Sequence, residues 1–522
     1  MGELFQLLFQ GFGNVLTPAV MFASLIGCLI GILVGIIPGI GASAGIAIML
    51  PTIYGHDPLV SMALLAGIFF GSSYGGTITA VLLNVPGTAA SICTGLDGFP
   101  LAKQGRAGAA IGMGTIASTI GGTIGTILLT LMGVPLARWG LRLSEPEYFA
   151  VYAFAFMALV NISGNKFFKS MMVLFFGLLI GTIGNDGLTG YMRLTGDNIR
   201  FYDGINFVPA LIGLFGFGSM LEQIVHGNEN KDKTENLMFT APLTFRNAFP
   251  TLGEVLRNSF RFVRASIIGF FVGVLPGAGG STATFFAYEF EKNISKDKES
   301  WGKGNIDGVA TAEASNSSCF AGTYVPLFAL GIPGSATSAL LLGALILLGL
   351  QPGPLFFQQN SELAWGVIAS MYLANVILFV VTSTMIPFFI WIMRKSQNAI
   401  VTVMLTLCFL GTFCLKNSLV DLWTLVVFGV IGYVFQIRQF PAAPTVLALV
   451  LGRSMEISLR RGLIMVSGNV VTFFSRPVTL VFTILALCMF IMGLFNFFKA
   501  IKGKSGDSKQ DIIEAEVKAK AD

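Results

Sequence analysis

Four Pro-Gly pairs interrupt long apolar runs, and each is trailed by small or hydroxyl residues. Pro38-Gly39 leads to Gly41 and Ser43, and Pro86-Gly87 to Thr88 and Ser91. Pro276-Gly277 leads to Gly279 and Ser281, and Pro333-Gly334 to Ser335, Thr337 and Ser338. Proline lacks a backbone N–H and glycine reaches dihedrals other residues avoid, so each pair breaks a helix. A helix that restarts after a break presents free N–H groups and a positive dipole end. With hydroxyls beside them, such restarts form a cradle for a carboxylate. Carbonyls freed ahead of a break, with Asn84 just before the second, suit a hard cation such as Na⁺. Ser73, Thr77, Asn316 and Ser317 supply further oxygens for that cation. Glu313, in the polar run Thr311–Ser318, is the candidate coupling carboxylate, because an ionisable group inside a membrane is functional by default. Its closeness to the charged loop Lys292–Asp307 also fits a plain interface position.

The elements that must hold these groups are membrane helices. The chain has 522 residues, 54% hydrophobic and only 11% charged, against about 25% charged in soluble domains. Its mean hydropathy is +0.77. The apolar runs predict roughly ten to twelve transmembrane segments of about 20 residues. The fold class is therefore an all-α polytopic membrane protein. Broken helix is tolerated in hydrocarbon only where it is buried in protein or lines a polar cavity.

The net charge of +5 is carried mainly in gaps between apolar runs, as loop anchors are, and does not point to nucleic acid. The six cysteines form no CxxC pair and there are only two histidines, so no metal beyond Na⁺ is expected. No Walker loop, HExxH or GxSxG occurs, and the chain is not read as an enzyme. Asp97, Lys103 and Arg106 read as a solvated charged hairpin.

The breaks come in two matched pairs. Pro38, Gly39, Gly41 and Ser43 align with Pro276, Gly277, Gly279 and Ser281, and Pro86-Gly87 aligns with Pro333-Gly334. Pro135, Trp139 and Arg142 align with Pro387, Trp391 and Arg394. The chain thus divides into a first transmembrane repeat, 1–222, and a second, 265–456. Between them, 223–264 reads as a basic amphipathic linker with Arg257, Arg261 and Arg264 on one face. An additional C-terminal transmembrane region, 457–498, precedes a tail, 499–522, whose mixed charge predicts disorder. The loop with Lys103 and Arg106 corresponds to Gln351–Glu362, which has no Lys or Arg. The positive-inside rule then favours inverted repeats, although Arg453, Arg460, Arg461 and Arg476 cut against it. Matched interrupted segments in two halves mark a transporter's binding site.

GIIPGIGASAGIAIMLP, YGGTITAVLLNVPGTAASICTGLDGFPLAKQGRAG, GVLPGAGGS and ALGIPGSATSALLLGAL together resemble the large membrane subunit of the tripartite tricarboxylate transporters. The resemblance covers nearly the whole chain apart from the tail, and its most specific block is Gly75 to Gly108. It implies a multi-pass permease of the bacterial inner membrane. That permease works with a small four-helix membrane subunit and a periplasmic solute-binding protein. It takes up citrate and other di- or tricarboxylates, driven by Na⁺ or H⁺, without a further cofactor. Two other function classes stand beside it: a self-sufficient channel, and a membrane enzyme for which only Glu313 offers a catalytic group.

Overall fold

The computed structural model describes residues 2–37, 41–84, 87–162, 166–222, 224–225, 249–276, 279–395, 402, 405–410, 412–413 and 417–519. Pro38, Gly39, Pro86 and Gly277 lie outside these residues, as does most of the expected linker.

The first half runs α1 (Gly2–Val15), α2 (Pro18–Ile36), α3 (Gly41–Met49), α4 (Pro58–Leu83), α5 (Ser91–Leu101), α6 (Ala107–Gly140), α7 (Glu145–Ile162), α8 (Phe167–Gly181) and α9 (Phe207–Leu211). A two-residue antiparallel pair, β1 (Gly184–Asn185) with β2 (Met192–Arg193), lies between α8 and α9. Then follow α10 (Leu252–Arg257), α11 (Ser259–Val274), α12 (Gly279–Ile294), α13 (Ile306–Leu330), α14 (Ala336–Leu347), α15 (Phe356–Gln359), α16 (Ser361–Lys395), α17 (Leu419–Ile437), α18 (Ala443–Met465), α19 (Val470–Ser475) and α20 (Pro477–Ala519). The last helix runs through 499–519, where composition predicts disorder; the Lys, Glu, Gln and Ala of that stretch are good helix formers.

Six helical stretches among the described residues are long and apolar enough to cross a membrane, fewer than the ten to twelve expected. The shortfall has two causes. Gly41–Ile53 and Ala336–Leu347 are half-helices, too short to span alone. The other cause is polarity: α13 has the length, with 25 residues, but carries Glu313, Asn316 and a run of serines.

Two compact units emerge, and they cut across the sequence halves. One comprises Met1–Arg142, Ile183–Asn185 and Met192–Ala442; the other comprises Leu143–Thr182, Asp186–Tyr191 and Ala443–Asp522. In the smaller unit α7 packs on α20 and α18, and α8 packs on α18. Its loop is held by Asp186, which accepts from the Leu188 N–H at 2.9 Å and from Arg460 at 2.7 Å.

The core of the larger unit is the pair α4 and α13. Every residue from Leu65 to Leu83 is buried, and α13 is buried from Ile306 to Ala329 except at Phe320. Helix α4 starts where Asp57 caps the Leu59 and Val60 N–H groups and Pro58 fills the first turn. It stops at Asn84 with φ 55°, and α13 stops at the matched residue, Gly331, with φ 70°. Left-handed caps of this kind admit glycine and, less readily, asparagine.

Helix α2 lies on α4 at backbone contact, and α11 lies on α13 in the same way. A Cβ added at Gly31 would stand 2.5 Å from the Ile68 carbonyl oxygen, and one at Gly35 2.0 Å from that of Ser72. The matched positions repeat the contact: Gly269 meets Ser315 at 2.1 Å and Gly273 meets Cys319 at 2.2 Å. Small residues are what allow membrane helices to approach so closely.

The charged segments find partners elsewhere in the fold. Arg257, Arg261 and Arg264 are all held in ion pairs, and of the three only Arg261 is largely buried. Arg257 and Arg261 bind Asp307 at 2.7 and 2.8 Å, and Arg264 clasps buried Glu291 with two bonds of 2.7 and 2.8 Å. Asp97 is buried rather than solvated, because the loop ahead of α13 closes over it. Its Oδ1 accepts from the N–H groups of Gly302, Gly304 and Asn305, and its Oδ2 from the Tyr288 hydroxyl. Arg106 pairs with Glu254 at 2.6 Å.

Candidate functional site

Four helix starts of the larger unit converge on one cavity of about 480 Å³. Gly41, Ala42 and Ser43 come from the first turn of α3, and Gly280 and Ser281 from that of α12. Gly87 to Ala90 are the turn leading into α5, and Thr337 stands in the first turn of α14. Gly41 and Gly279 both take φ +63°, so the two half-helices α3 and α12 begin with the same left-handed step. The remaining wall is Phe69, Ser72 and Ser73 from α4 and Phe320 from α13.

The described residues of this wall include no Lys, Arg, Asp or Glu. The field in the cavity therefore comes from helix N-termini, each equivalent to roughly half a positive charge. Such a site favours an anion and holds it by N–H and hydroxyl donors. Ser43 and Thr337 bridge the two sequence halves across the cavity, with 2.9 Å between their hydroxyl oxygens. Phe69 and Phe320 stack with centroids 4.2 Å apart and form its apolar side.

The restarts at α5 and α14 are built alike. Ser91 Oγ accepts from the Thr88 N–H at 3.2 Å and donates to the Thr88 carbonyl at 2.8 Å. Ser338 Oγ does the same for Ser335, at 2.7 and 3.0 Å. Both hydroxyls are buried and engaged with their own backbone. Ser335 returns the bond by accepting from the Ser338 N–H, which completes a capping box. Ser91, Ser335 and Ser338 thus shape the restarts, while Ser43, Thr88, Ser281 and Thr337 face the cavity. Gly334 packs against the Gly273 carbonyl, Pro333 is buried beside it, and Pro276 is half-buried at the end of α11.

The residues expected around a cation are dispersed. Asn84 is exposed and serves as the left-handed cap of α4, the role its match Gly331 fills in the second half. Ser317 is buried and does not line the cavity. Ser73 accepts from Asn316 Nδ2 at 2.6 Å at the cavity edge. The other amide atom, Asn316 Oδ1, is buried and has no hydrogen-bond partner. Thr77 donates instead to Glu313 Oε1 at 2.7 Å.

Glu313 is no interface residue. It is fully buried in α13 and accepts from Thr77, from Thr94 at 2.5 Å and from Ser118 at 2.9 Å. Thr94 and Ser118, like Phe69 and Phe320, are not visible as site residues in the sequence. The available signal was the repeat itself: counting from the matched Pro-Gly pairs, Phe320 falls opposite Ser73 and Asn316 opposite Phe69.

The Tripartite tricarboxylate transporter TctA family matches residues 21–447. The chain belongs to that family. The TctA match spans both pairs of breaks, the cavity and the Glu313 centre. A 52.8 kDa uncharacterised protein encoded in the TAR-I ttuC' 3' region of Agrobacterium vitis is 32% identical over 504 residues, 97% of this chain and 99% of its own. A second uncharacterised protein of the same organism, from the TAR-II ttuC' 3' region, is 33% identical over 226 residues, 43% of this chain and 93% of its own. No solved structure matches the chain. As a TctA-family chain with membrane-length helices, it is a multi-pass membrane protein and a component of a tricarboxylate transport system.

Proposed function

We propose that the chain is the permease subunit of a tripartite secondary transporter that takes up di- or tricarboxylates of the citrate type by symport with Na⁺ or H⁺. One observation carries this reading: four helix N-termini and the hydroxyls of Ser43, Thr88, Ser281 and Thr337 meet in a single cavity with no charged side chain among the described residues of its wall. A polyanion with separated carboxylates can engage several restarts at once. The cation offsets the charge that the anion brings into a low-dielectric core.

The matched contacts of α2 on α4 and α11 on α13 support a two-fold repeat, and the charge asymmetry of the loops supports its inversion in the bacterial inner membrane. The shorter apolar helices Phe167–Gly181 and Phe207–Glu222 support further crossings beyond the six. Family membership supports a small four-helix membrane subunit and a periplasmic binding protein as partners. Substrate delivered by the binding protein would enter this cavity.

Uptake of labelled di- and tricarboxylates into vesicles, with and without Na⁺, tests the reading. Vesicles holding the chain with both partners should accumulate carboxylate on an imposed cation gradient. The chain alone should show little high-affinity uptake. Passive flux of unrelated ions at equal rates would replace the transporter reading with a channel.

A further inference from the structure

The Glu313 centre lies one helical turn from the cavity. Its ligand set spans four helices: Glu313 on α13, Thr77 on α4, Thr94 on α5 and Ser118 on α6. Its three hydrogen-bond donors are neutral hydroxyls, and among the described residues no cationic side chain is bonded to this fully buried carboxyl group. Burying such a charge is costly unless a positive charge joins it.

We propose that this centre is a Na⁺ site, and that it is where the coupling ion of the transport cycle binds. The inference rests on the cation-symport reading above. Two carboxylate and three hydroxyl oxygens make a hard, all-oxygen ligand set of the kind that suits an alkali or alkaline-earth ion. The single negative charge selects a monovalent ion, because a divalent one would leave net positive charge in the core. A hydroxyl carries one donor and two lone pairs and rotates to suit. Without the ion, Thr77, Thr94 and Ser118 turn their protons to Glu313; with it, each turns a lone pair inward.

The route in and the coupling follow from the neighbours. Asn316 Oδ1, an unpartnered buried acceptor, lies one turn along α13 from Glu313, at the cavity edge. Thr77 also reaches back to the Ser73 carbonyl at 3.4 Å, and Ser73 lines the cavity. Thr94 stands three residues after Ser91, whose hydroxyl caps the Thr88 restart. An ion that draws Thr94 toward α13 therefore fixes that restart against the substrate. Counting from the matched pair Ser72 and Cys319, the first-half equivalent of Glu313 is Ala66, and Thr94 is matched by Leu341. The repeat thus supplies one such site per chain.

Equilibrium binding of radioactive Na⁺ to the full chain in lipid nanodiscs tests the proposal without partners or substrate. Wild type should bind one Na⁺ per chain, and Glu313→Gln should bind none. Thr94→Val and Ser118→Ala should weaken binding about tenfold or more, while Thr94→Ser, which keeps the oxygen, should bind as wild type does. The valine and alanine variants serve as the test if Glu313→Gln fails to fold. Absence of saturable Na⁺ binding to wild type, with uptake following pH alone, would overturn the proposal in favour of a proton site. So would wild-type Na⁺ affinity in Glu313→Gln, or in both Thr94→Val and Ser118→Ala. Citrate binding to the same nanodiscs reads the cavity separately. Na⁺ binding that depends on Glu313 without any citrate binding sinks the carboxylate reading alone; citrate binding with Na⁺ affinity indifferent to Glu313 sinks this inference alone.

Discussion

Gly87→Ala should disable the restart that leads into α5, and the structure gives the size of the effect. A Cβ there would stand 2.1 Å from the Gly35 carbonyl oxygen and 2.7 Å from Gly76 Cα. Against a comfortable non-bonded separation of about 3.5 Å, the first contact is short by about 1.4 Å. Both neighbours are backbone, held where α2 meets α4, so the Gly87 segment must move. The matched change, Gly334→Ala, is milder: its Cβ would stand 2.8 Å from the Gly273 carbonyl and 3.2 Å from Thr323 Cβ. Overpacking costs about 1–3 kcal/mol, and Gly87→Ala belongs at or above the upper end, Gly334→Ala near the lower. Movement at Gly87 also carries the Thr88 hydroxyl, which lines the cavity, away from the substrate. A hydrogen bond to a charged group is worth about 1.5–3 kcal/mol, roughly ten- to a hundredfold in affinity. Carboxylate binding to purified protein, with thermal unfolding alongside, reads both effects. Gly87→Ala should lose at least tenfold in affinity and unfold earlier than Gly334→Ala. Unchanged affinity in Gly87→Ala, or a larger loss in Gly334→Ala, would refute the account of the restart.

Ser43→Ala and Thr337→Val each remove one side of the bridge across the cavity; carboxylate affinity should fall about tenfold in each, and less than additively in the double variant when measured by binding titration. Ser91→Ala should act on the fold first, lowering unfolding stability by about 1 kcal/mol as a lost cap, with a smaller effect on affinity than Ser43→Ala. Asp97→Asn loses the charge that gathers three N–H groups and the Tyr288 hydroxyl; denaturation should show a loss of about 1.5–3 kcal/mol, whereas an unchanged midpoint would restore the solvated hairpin. The Leu188 N–H and Arg460 hold the Asp186 carboxyl below its ordinary range. A depressed carboxylate stabilises the fold above its unfolded value of about 4, and that stabilisation is lost as pH falls through the depressed value. Acid melts of the wild type and Arg460→Ala should therefore converge at the lowest pH; a constant gap between them would contradict the assignment.

The breaks were legible because Pro-Gly in an apolar run has few other uses, and the repeat was legible because the breaks recur in matched order. The convergence of four restarts was not, since nothing in the sequence places Gly41 near Gly87 or Thr337. Hydroxyl roles were misjudged for a local reason. Ser91 and Ser338 stand three residues past Thr88 and Ser335, a spacing that serves a cap as well as a ligand. Asn84 misled in the same way, because a left-handed cap and an oxygen ligand call for the same residue. Asp97 and Arg257 to Arg264 read as surface charge because their partners lie far along the chain, at 288–307. Glu313 was recognisable as a polar residue in an apolar helix, but Thr94 and Ser118, each in a different helix, were indistinguishable from ordinary small packing residues.

The central claim is that an anionic carboxylate binds where the four restarts meet. An experimental structure of the full chain in lipid with citrate present tests it most directly. The account predicts ligand density against Ser43, Thr88, Ser281 and Thr337, with the Phe69–Phe320 pair beside it. Density elsewhere, such as the groove between α1 and α16 at Asn14, Glu362 and Trp365, with this cavity empty, would contradict it.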